Sequence, residues 1–146
     1  MDQAKIADTL GRLLHILCRS LPMYLEEARP WTRRDDQPAQ RALANLVADQ
    51  RMFSGRVAQT ILDLDGNPAL GRFPTAFTSL HDLSIEFLMP RIVECQRRDL
   101  QAIEQCVHEL AGTPMVRPLA EEILGNARGH LDILDALVVG EGAGRT

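Results

Sequence analysis

The stretch Asp49–Leu70, DQRMFSGRVAQTILDLDGNPAL, decides the reading of the whole chain. Together with the residues before it, it carries an apolar line through Leu43, Leu46, Gln50, Phe53, Val57, Ile61 and Leu64. The steps are three or four residues throughout, the period of one face of an α-helix. One member of the line, Gln50, is polar. An unpaired polar group on a core-facing stripe costs about 1–3 kcal/mol, so its presence in the middle of a long helix calls for a reason.

Glycine and proline divide the chain into four long segments with the helical period, and none reads as a strand. The first spans about Gln3 to Arg29, with Ile6, Leu10, Leu13, Leu14, Leu17, Leu21, Tyr24 and Ala28 on one face. Pro22 is expected on its solvent side, where the missing N–H produces a kink. RPWTRRDD ends this segment. The second opens at Asp36 as N-cap with Pro38 in the first turn, and closes at Gly66 with Pro68 beyond it. NPALGRFPTAF links it to the third, which begins near Thr75 or Thr78, bends at Pro90 and ends at Gly112. The fourth runs from Thr113 or Arg117 to about Val139, burying Val116, Leu119, Ile123, Leu134 and Leu137, and GEGAGRT (140–146) reads as a frayed tail.

Four amphipathic helices in one domain covering residues 1–146 predict an all-α, antiparallel four-helix bundle. The connections after the first and third segments are short enough for hairpins. About ten residues after the second can reach ~35 Å when extended, enough for a crossover along most of a bundle.

The bulk properties exclude several classes of function. At 45% hydrophobic, 25% charged and net charge −4, the chain has the make-up of a water-exposed globular domain and not the basic surface of a nucleic-acid binder. Arg33-Arg34 and Arg97-Arg98 read as solvated faces. No apolar run approaches the ~18 residues of a membrane span, and the N-terminal MDQAKIADTLGRLLHILCRS has no cleavage-site pattern. Three cysteines, Cys18, Cys95 and Cys106, form neither a disulfide framework nor a zinc motif and read as small hydrophobes in a reducing, cytoplasmic compartment.

The residues RVAQTILDLDGNPAL resemble the end of the second helix in the ferritin-like superfamily, in bacterioferritin and rubrerythrin-type proteins, where a helix ending in ILxLxGxP follows a metal-binding Glu-x-x-His. ILGNARGHLDIL (123–134) resembles the same family's fourth-helix motif, of the form LxxEEGHxxxL. The resemblance implies the fold, with a crossover between helices two and three, and a di-iron centre built from a Glu on each of two helices and Glu-x-x-His on the other two. It puts the second-helix ligands at Gln50 and Phe53, the fourth-helix ligands at Ala127 and His130, and the first-helix glutamate near Leu17 or Leu14. For the third helix it leaves Glu94, which lies off the apolar stripe, and Gln96, which lies on it.

Of the four motif positions only His130 keeps a ligand, so the expectation is a degenerate site with no iron and no other cofactor. Around it the sequence predicts a pocket of Leu17, Tyr24, Gln50, Phe53, Gln96, Ala127 and His130. Gln50, Gln96 and His130 are expected to hydrogen-bond to one another or to a trapped water. In another arrangement the helices rotate slightly and Gln50 reaches solvent. The alternative to a degenerate site is a divergent metalloprotein that holds iron or another ion through His130, Glu94 and Glu122. Asp49 with His130 offers an acid/base pair, but Asp49 is read as turned away from the stripe, with no nucleophile or oxyanion donor beside it, which argues against catalysis. The glutamate pairs 26–27 and 121–122 and the histidines at 15, 81 and 108 read as surface. A second apolar patch of Leu80, Leu83 and Phe87 at the start of the third helix is expected to serve a homodimer.

Overall fold

The computed structural model describes residues 2–28, 37–80 and 83–144 and is all-α, with no strand among the described residues. Helix α1 is Gln3–Cys18, α2 is Leu21–Ala28, α3 is Gln37–Asp63, α4 is Ile85–Leu110 and α5 is Arg117–Gly144; a 3₁₀ helix occupies Thr75–Leu80. Among these residues no helix is long and apolar enough to cross a membrane.

The first expected helix is two. Pro22 lacks the N–H that would bond the carbonyl of Cys18, and the chain breaks there instead of kinking. Ser20 then caps α2, accepting from the Met23 N–H at 3.3 Å, while Arg19 Nη1 donates to the orphaned Cys18 carbonyl at 3.2 Å. The break turns Pro22 inward, so it is buried and not on the solvent side.

α3 ends on two nested bonds, Gly66 N–H to Ile61 O at 2.9 Å and Asp65 N–H to Leu62 O at 3.0 Å. The left-handed residue of this motif is Asp65, with φ of 61°, and not the glycine. Gly66 is required for room: a Cβ there would lie 2.8 Å from Ile61 Cγ2 and 3.2 Å from Ala7 Cβ. The expected Asp36 cap lies outside the described residues.

The third expected helix starts later than the sequence suggests. Ser84 is the N-cap of α4, its side chain accepting from the Phe87 N–H at 3.3 Å, and Thr75–Leu80 forms the separate 3₁₀ turn. Pro90 lies inside α4 as anticipated, and Ala111, in the right-handed region, takes the C-cap position ahead of Gly112. No described glycine has positive φ, so Gly112 is not a left-handed stop. α5 continues through Gly140–Gly144, beyond the expected end at Val139. The patch of Leu80, Leu83 and Phe87 is divided: Leu80 and Leu83 pack against the core while Phe87 is exposed.

Contacts between named side chains set the helix directions. Gln3 Nε2 donates to Leu64 O at 2.7 Å and Ser20 Oγ to Gln50 Oε1 at 2.8 Å, so α1 and α3 run oppositely. Arg97–Asp135 at 2.8 Å and Arg128–Glu104 at 3.5 Å do the same for α4 and α5. Arg56–Glu122 at 3.0 Å and His130–Asp49 at 2.6 Å do so for α3 and α5.

The core is in two parts. One joins Leu10, Leu13, Leu14 and Leu17 of α1 to Phe53, Val57 and Ile61 of α3, Ile103, Cys106 and Leu110 of α4, and Ala120 and Ile123 of α5. The other joins Leu21 and Leu25 of α2 to Leu43 and Leu46 of α3, Ile85, Leu88, Met89 and Ile92 of α4, and Leu134 of α5. Burying each such side chain contributes about 1.5–3 kcal/mol.

Candidate functional site

Between the two apolar clusters, polar residues interrupt α3, α4, α5 and the break between α1 and α2. Ser20 lies between Cys18 and Leu21, Gln50 between Leu46 and Phe53, Gln96 and Asp99 between Val93 and Ile103, and Asn126 and His130 between Ile123 and Leu134. Ser20, Gln50 and Gln96 are all buried. Polar groups withdrawn from water between two apolar clusters must be satisfied internally.

It does so in three local sets. In the first, Gln50 Oε1 accepts from Ser20 Oγ at 2.8 Å, and the Gln50 main-chain carbonyl accepts from Ser54 Oγ at 2.6 Å. The helix break at Pro22 therefore has a second effect, since it frees the hydroxyl of Ser20 to meet α3. This is the reason Gln50 is tolerated on the stripe.

In the second set, on α4, Gln96 Nε2 donates to Asp99 Oδ2 at 3.4 Å. Burial pushes the Asp99 carboxyl up to about 7, opposed by the charge of Arg98. In the third, between α3 and α5, Asp49 Oδ2 accepts from Asn126 Nδ2 at 2.8 Å and meets His130 Nε2 at 2.6 Å. The Asn126 amide, and then the His130 imidazole, hold the Asp49 carboxyl below the usual carboxylate range. The His130 side chain is 11% exposed and that of Asp49 38%, so the pair opens toward solvent on the aspartate side.

Gln50 and Gln96 are buried and His130 is half-buried, and among the described residues they do not hydrogen-bond to one another as expected. Each has a nearer partner: Ser20, Asp99 and Asp49. Asp49 faces α5 and is not turned away as its place beside the stripe suggested. Of the remaining pocket residues, Leu17 and Phe53 are core, and Ala127 packs at the edge of the same cluster. Tyr24 sits apart, its ring 5.4 Å from Phe73 and 5.7 Å from Phe77 in the connection before α4.

The three residues named for a metal are not brought together. Glu94 is exposed and pairs with Arg98 at 2.6 Å; Glu122 is exposed and pairs with Arg56 at 3.0 Å; His130 pairs with Asp49. Among the described residues, no three or more His, Cys, Asp or Glu side chains converge in a way that could hold a metal ion. Gln50, Phe53 and Ala127 supply no carboxylate or imidazole, so the donor set of a carboxylate-bridged di-iron centre is not met at the motif positions.

Ser20, Asp99 and Asn126 are polar residues between the clusters that sequence reasoning missed, whereas it pairs Asp49 with His130 only to set the pair aside. One signal was available, because Asn126 and His130 are four apart on α5 and share a face. Cys18 and Cys106 are buried and Cys95 half-buried, all with free thiols, and burial is the main cause raising the Cys95 and Cys106 thiols. The chain matches no protein-family model and no curated protein.

Proposed function

We propose that the chain is a ferritin-like four-helix bundle with a lengthwise crossover between α3 and α4, and that it acts without catalysis, as a structural, interaction or ligand-binding module on a degenerate metal site. Support for the topology comes from the two core clusters. The end of α3 packs with the start of α1, whereas the start of α4 packs with the start of α3. The connection between α3 and α4 would then travel from one end of the bundle to the other, joining two antiparallel hairpins.

The observation that carries the functional reading is the polar layer. Its members fall between the two core clusters on α3, α4, α5 and the break between α1 and α2, and include three of the positions the resemblance assigns to metal ligands, yet its groups are spent on Ser20–Gln50, Gln96–Asp99 and Asp49–Asn126–His130 contacts. Free thiols at all three cysteines suit a cytoplasmic setting. A homodimer would draw on Phe87, 68% exposed on the first turn of α4. A strictly monomeric mass in solution would remove that element.

The test of the main reading is metal content by elemental mass spectrometry, on protein purified without chelator and again after incubation with ferrous iron in air. The expected result is no stoichiometric metal in either condition. About two irons per chain would overturn the reading. A single ion lost in His130→Ala would replace it with the divergent metalloprotein, for which the convergence of His130 and Asp49 is the one favourable feature.

A further inference from the structure

We draw no further inference here: the strongest candidate, the outward stripe of α5 through Gly125, Gly129, Ile133, Ala136 and Val139, is an unpartnered face of small and apolar residues, and nothing in the structure shows what covers it.

Discussion

Asp99 shows how a single residue in the polar layer changes the energetics of the whole. Its carboxyl lies beside Gln96 on α4 and is pushed up to about 7 by burial, against an unfolded value near ~3.9. The folded state therefore holds a proton that the unfolded state has released between those two values. Stability contributed by the neutral form is complete below pH ~4 and falls as pH rises toward 7. Asp99→Asn keeps the shape of the neutral acid without the titration. Its stability relative to the parent should be unchanged near pH 4, should grow through pH 5 and 6, and should level off above 7 at about 1–2 kcal/mol once partial solvent exposure is allowed for. Urea unfolding of both proteins at pH 4 and pH 8 checks this, and an equal difference at the two pH values would refute it. The sequence hid this residue because Asp99, beside Arg98 in a run of charges, reads as surface; only the packing of α4 reveals its desolvation.

The elements themselves were largely readable. The apolar period marked where α1, α3, α4 and α5 lie, and Pro90 and Pro68 fell where expected. What escaped was punctuation that depends on tertiary partners. A proline such as Pro22 can either kink or break a helix, and breaking wins here because Ser20 caps the new start while Arg19 takes the freed carbonyl and also reaches Gly71 O and the Phe73 ring. The same hydroxyl satisfies Gln50. Ser20→Ala should therefore cost both a cap and a buried partner, about 1–3 kcal/mol in thermal or urea unfolding. Gln50→Leu alone leaves Ser20 short of an acceptor, whereas the double variant removes both halves of the pair. A double-mutant cycle should show coupling of about 0.5–3 kcal/mol, with the double variant less damaged than the sum of the singles. Simple additivity would mean that the Ser20–Gln50 bond contributes nothing to stability.

At the scale of the molecule, polar residues separate two apolar cores that share α3, α4 and α5. Polar residues so placed could divide the molecule into parts that unfold separately, or could register the helices while both cores remain one cooperative unit. The continuity of α3 and α4 favours the second outcome, since each helix is anchored in both clusters without a break. Leu10 and Leu88 are fully buried, one in each cluster. Each Leu→Ala change should cost about 2–5 kcal/mol through lost burial and the cavity left behind. In urea the single variants should each keep one transition with an unchanged slope, and the losses in Leu10→Ala and Leu88→Ala should add to within about 0.5 kcal/mol in the double variant. A biphasic transition, or a lowered slope in only one of the single variants, would show instead that the two core clusters are separate folding units and that the polar residues are a boundary between them.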